Sequence, residues 1–273
     1  KKSSPTYQNT IAEMDRATLQ LERAFGVFSH LESVRTTDQL RALVGSISPQ
    51  VSAFFSSIAL RPDLYRQLKQ VHQNVESGKE KLGALEKRYL TKTLENCERH
   101  GAQLPPEKKT RLTEIDIRLT EVTQKFSENA LDATNSWSLT LNGEARFSGI
   151  PESSRQMFAA WAQKAEPGSG GKYRLTLQAP SVIAVLTYAD DRSLREEVYV
   201  AFNQRAAAPP YDNVPLIHEI LELRREKAEL LGFKDFADYA LVERMAKDGA
   251  RAFGFAADLE KRTRLFFEQE TKE

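Results

Sequence analysis

The sequence predicts a mainly α protein, a multi-helix body with a small antiparallel β-sheet insert near residues 136–178. Three observations carry this. Apolar residues step by three or four along most of the chain, the period of one helical face. The period changes to two in only two places, around Trp137–Leu141 and Tyr173–Leu177, as half-buried strands require. Glycine and proline sit at segment ends, where they break or cap helices.

In order, residues 8–29 read as a first helix with Ile11, Met14, Leu19, Leu21, Phe25 and Phe28 on its apolar side. Thr37-Asp38 starts a second, carrying Leu40, Leu43, Val44, Ile47 and Val51, with a kink expected at Ser48-Pro49, since proline removes a helical bond. Pro62 opens a third with Leu64, Leu68 and Val71, and Gly78 to His100 reads as a fourth, with Gly101 as a left-handed terminator. Pro105-Pro106 starts the most regular helix, through Leu112, Ile115, Leu119, Val122, Phe126 and Ala130. Trp137, Leu139 and Leu141 then alternate with polar residues, and Asn142-Gly143 predicts a tight hairpin turn, because both tolerate positive φ. Pro151 to Ala165 reads as a short helix with Met157, Phe158 and Trp161, and Pro167 to Gly171 as a flexible loop. The Tyr173 strand ends before Pro180, and an apolar run, Val182 to Leu186, follows. Ser193-Leu194-Arg195-Glu196 has the form of a capping box, opening a helix that buries Leu194, Val198, Ala201 and Phe202. Another begins with Pro215 in its first turn and stops at Gly232, and a last one starts after Lys247. The expected organisation is a helical part over 1–135, a small sheet with a short helix over 136–178, and a helical part over 179–273.

Apolar residues make up 40% of the chain and charged residues 28%, and 39 Lys+Arg against 38 Asp+Glu leave +1. That balance, with only short basic clusters such as Lys108-Lys109 and Arg224-Arg225, argues against a nucleic-acid partner. One cysteine, Cys97, allows no internal disulfide and favours a reducing compartment, so a cytoplasmic location is expected. No run approaches the roughly 18 apolar residues of a membrane span, so no membrane partner is expected. Lys1-Lys2-Ser3-Ser4-Pro5 lacks the apolar stretch of a signal peptide. The start without Met, and the helical period of Ala252, Phe255, Leu259, Arg262 and Phe266 running to the end without a stop signal, read as two cut ends.

Candidate chemistry is sparse. His218-Glu219-Ile220-Leu221-Glu222 has a zinc helix's first His, but the second metal ligand at i+4 is replaced by Glu222. The four histidines, His30, His72, His100 and His218, fall on four different segments. Cys97 and His100 would be neighbours on a helix, yet an idle buried thiol is the simpler reading. Pro167-Gly168-Ser169-Gly170-Gly171-Lys172 lacks the spacing of a phosphate loop, and a strand follows it. Asp190-Asp191 and Asp212 sit at helix starts and suit capping. Trp137, Trp161, Tyr188, Tyr199 and Phe202 suit the core. No catalytic or metal-ligating residue is therefore assigned, and no substrate-binding residue is identified.

Several stretches carry a family resemblance: Tyr173 to Ser181; Leu186 to Glu197; Glu219 to Ala228; Leu230 to Phe233; Arg244-Met245-Ala246; and, earlier, Glu114 to Leu119, Gln124 to Ser127 and Leu131 to Trp137. Together they resemble the thimet oligopeptidase/oligopeptidase A family of zinc peptidases, densely from about Leu104 to Ala246. The resemblance implies an N-terminal helical domain that forms one wall of a channel admitting short peptides. It places the zinc-binding HExxH helix beyond Glu273, in a catalytic domain that would be this chain's partner. Zinc is then expected in the full-length enzyme and not in this fragment, which is expected to be inactive alone. The alternative is a stand-alone helical scaffold that binds a protein or peptide through an exposed apolar groove.

Overall fold

A computed structural model describes residues 4–272; Lys1, Lys2, Ser3 and Glu273 lie outside the described residues. Mainly α architecture is what it shows, with one two-stranded antiparallel sheet among the described residues. The chain divides into two units, Lys1–Glu121 with Leu221–Glu273, and Val122–Ile220.

The first unit opens with α1 (Tyr7–Arg35), longer than expected at both ends. Thr6 caps it: the Thr6 Oγ1 accepts from the Asn9 amide, and the Asn9 side chain accepts from the Thr6 amide. Ile11 is fully buried, whereas Leu19 and Leu21 are exposed, against expectation. α2 (Asp38–Leu60) starts at the Thr37 cap and keeps Pro49 inside an unbroken helical span. By length and composition α2 could cross a membrane, with a mean hydropathy of 1.4 over 18 residues. The expectation that no stretch comes near this limit is corrected: scattered serines hide it from a search for unbroken apolar runs, but the average survives. Here Val44, Val51 and Leu60 are buried in the unit.

α3 (Pro62–Glu76) follows with Tyr65, Leu68, Val71 and Val75 buried. α4 (Ala84–Arg99) begins six residues later than read from the sequence. Gly78, at φ +75°, ends the preceding turn, and the Glu86 carboxylate accepts the Gly83 amide to start the new helix. Gly101 is left-handed, at φ +90°. These helices share a core of Ile11, Tyr65, Leu68, Val71, Leu90, Leu94 and Cys97.

α5 (Pro106–Ser136) and α9 (Val214–Leu230) are divided between the units. In the first, α10 (Phe236–Leu241) and α11 (Gly249–Glu270) complete the list. An ion pair joins Asp116 of α5 to Lys227 of α9, each side chain only 13% exposed. Ser56 Oγ donates to the other oxygen of Asp116.

The second unit is built on β1 (Ser138–Asn142) and β2 (Lys172–Thr176), paired with Leu139 opposite Leu175 and Asn142 opposite Lys172. The expected tight turn at Asn142-Gly143 does not form. Gly143 takes φ +73° and its amide donates to the Gly171 carbonyl, so the two residues close the mouth of a long excursion. That excursion contains α6 (Glu152–Ala165), which packs on β2. The apolar run after Pro180 forms α7 (Ala179–Tyr188), and α8 (Arg192–Asn203) follows. The core holds Phe147, Phe158, Leu175, Val185, Leu194 and Val198. Trp137, Trp161 and Phe202 are partly buried against it. Tyr188 and Tyr199, expected in the core, are at least half exposed, because α7 and α8 turn Val185 and Val198 inward instead. Asn129 and Asn213 form a buried pair, with Asn213 also donating to the Phe126 carbonyl.

Candidate functional site

The titratable groups singled out by sequence stay apart. His30 and His218 are exposed, His72 and His100 half-buried, on separate elements. Among the described residues, no three of His, Cys, Asp and Glu are grouped to hold a metal ion.

Cys97 and His100 are near neighbours in α4 and its cap, but nothing activates the thiol. Burial pushes the Cys97 thiol up, and the neighbouring Glu98 charge adds to it. Burial pushes the His100 imidazole down, and its Nδ1 lies 2.7 Å from the Asn96 carbonyl oxygen. Both shifts favour neutral forms over a thiolate–imidazolium pair. The adjoining cleft, about 360 Å³, is lined by Met14, Phe55 and Tyr89 as well as these two. Tyr89 donates to Asp15, and its phenol is pushed up to about 12 by burial and that carboxylate.

The Pro167 loop also carries no phosphate chemistry: Lys172 is tied to Glu166 at 2.8 Å and enters β2 directly. Of the carboxylates expected to cap helices, Asp212 accepts the Val214 amide at the start of α9, whereas Asp190 accepts the Ser148 hydroxyl instead of a helix amide. The expected capping box at Ser193 is corrected: Asp191 is the cap, its Oδ1 accepting the Leu194 amide at 3.1 Å and the Ser193 hydroxyl at 2.7 Å. A carboxylate two residues earlier offers the free amides a charged acceptor, which outcompetes a hydroxyl.

Arg146 holds the other oxygen of Asp191 at 2.6 Å. The guanidinium, then the Ser193 hydroxyl and the Leu194 amide, keep the Asp191 carboxyl well below its usual range. Such a group stabilises the fold above its unfolded value of 3.8 and loses that contribution as pH falls below it. Asp191→Asn is expected to lower stability at neutral pH while flattening acid unfolding below about pH 4. Circular dichroism across an acid titration of both proteins checks this.

One surface does stand out. No residue of α11 is buried, and Phe253, Phe255, Leu259, Leu265, Phe266 and Phe267 are 51–76% exposed. Together these six leave on the order of 600–800 Å² of apolar surface in water, against the roughly 300–600 Å² of a typical largest monomer patch. Met245, just before α11, is fully exposed.

Comparison with known proteins places both halves of the chain. Residues 1–109 match the family model for the N-terminal domain of neurolysin/thimet oligopeptidase, and residues 185–273 match that for peptidase family M3. Oligopeptidase A of Salmonella typhimurium is 34% identical over 270 residues, covering 97% of this chain and 39% of that protein. Escherichia coli oligopeptidase A gives the same figures, and that of Haemophilus influenzae is 33% identical over 273 residues, covering 98% and 39%. The chain thus spans about two fifths of the length of these curated relatives. Together with the helical fold, the matches define the class: an N-terminal region of a metallopeptidase. The chain belongs to the thimet oligopeptidase/oligopeptidase A family.

Proposed function

We propose that this chain is the non-catalytic, channel-wall part of a zinc-dependent oligopeptidase, and that the whole enzyme hydrolyses short peptides in the cytoplasm. The bare apolar α11, inside the segment matched to peptidase family M3, is the observation that carries the reading. A helix with four exposed phenylalanines needs a cover, and the catalytic part of the same enzyme supplies it. A wall of this kind selects by access, admitting extended peptides and excluding folded proteins. The zinc and the residues that activate water are assigned to that other part, since the histidines here are scattered. A stand-alone scaffold would also expose an apolar face, but the peptidase matches favour the first reading.

The test is made on this chain beside the whole enzyme. Elemental analysis is expected to find stoichiometric zinc in the whole enzyme alone, and chelator-sensitive cleavage of short peptides there alone. Stoichiometric zinc in this chain, or cleavage by it, would overturn the proposal.

A further inference from the structure

A cavity of about 340 Å³ opens in the second unit, lined by the end of α5, by α6 and by β2. Its lining is one-sided in charge. Lys164 and Arg174 face it, and no aspartate or glutamate does. Among the described residues, neither cation has a hydrogen bond or an ion pair, and the Arg174 Nε is shut off from solvent with no acceptor. Arg146 and Arg155 of the same unit are held by carboxylates, though the Arg155 Nε is likewise buried without an acceptor. The part of the Arg174 side chain that lines the cavity has no protein acceptor, so it suits one that arrives from outside.

The remaining walls narrow what that acceptor is attached to. Trp161 lies three residues before Lys164 on α6, so ring and ammonium share one helical face. Arg174 and Thr176 alternate on β2 and share one strand face. Thr134 and Asn135 add small polar groups at the rim. A guanidinium fork matches a carboxylate, and an indole face beside it accepts an apolar group. The volume holds one or two amino-acid residues, and a second positive charge at Lys164 disfavours a free ammonium on the ligand.

We propose that this cavity binds the C-terminal end of a short peptide, its carboxylate between Arg174 and Lys164 and its last, apolar side chain against Trp161. Its test uses this chain alone, so it stands or falls apart from the channel-wall reading.

The probe is N-acetyl-phenylalanine, followed by the indole N–H resonances, which a Trp161→Phe variant assigns. Binding with Kd on the order of 1 mM is expected, with movement of the Trp161 signal. N-acetyl-phenylalaninamide, which lacks the carboxylate, is expected to bind at least about tenfold more weakly. Lys164→Gln, at an exposed position, and Arg174→Gln are each expected to weaken the acid about tenfold, with unchanged circular dichroism. A stationary Trp161 signal, or equal binding of acid and amide, would overturn the proposal. So would inorganic phosphate or free phenylalanine moving the same signals at the same concentrations, for the site would then read charge without the peptide terminus.

Discussion

Gly149→Ala is expected to destabilise the second unit by about 3–5 kcal/mol, an effect at the upper end for a single substitution. Gly149 adopts φ +84°, and a Cβ built there would lie 2.1 Å from the Tyr188 carbonyl oxygen. The left-handed backbone alone costs an L side chain about 1–2 kcal/mol. The clash adds to this, because its target is main chain and cannot swing away. Ser148 and Asp190 also hold the two segments together twice, by the Asp190 amide to the Ser148 carbonyl at 2.9 Å and by the Ser148 hydroxyl to Asp190 at 2.6 Å. Relieving the clash would break that stitching and disturb the adjacent Asp191 cap of α8. Urea unfolding followed by circular dichroism measures the loss; a midpoint equal to that of the parent protein would refute the close approach.

Asp116→Ala is expected to cost a similar amount, about 3–5 kcal/mol, in the first unit. The substitution leaves the Lys227 ammonium, only 13% exposed, without its carboxylate, and leaves the Ser56 hydroxyl without its acceptor. A charge held away from water without a partner is penalised more than the pair itself stabilises. Lys227 also lies 5.5 Å from the Tyr239 ring centroid, a contact too weak to substitute. Adding Lys227→Met to Asp116→Ala is therefore expected to restore most of the loss. Thermal unfolding of the two single variants and the double gives the coupling; strictly additive losses would contradict the argument.

The long periodic helices were legible in the chain because each carries its own signal. α5 shows its stripe through Leu112, Ile115 and Val122, all buried, and α8 shows Leu194 and Val198. Strand identity was legible for the same reason at Leu139 and Leu175, but connection was not. Asn142-Gly143 has the composition of a two-residue turn, and nothing local reveals that its partner strand waits beyond α6. Caps misled where two acceptors compete: Ser193 fits the local rule, yet Asp191 wins through Arg146, a residue remote in sequence. The same remoteness hid the cavity at Trp161, Lys164 and Arg174. Pattern placed Trp161 in the core, and only the pairing of β1 with β2 brings Arg174 to the same opening. The bareness of α11 was equally silent, since a helical period shows which side chains share a face and not what covers it.

The burial of Cys97 has a practical consequence. It is the sole thiol of the chain and lies in the first unit, while both indoles, Trp137 and Trp161, lie in the second. The rate at which a thiol reagent labels the denaturing chain therefore clocks opening of the first unit. Intrinsic emission on excitation near the indole band reads the second, in the same cuvette and without any introduced dye. Nature has left each half with its own private gauge.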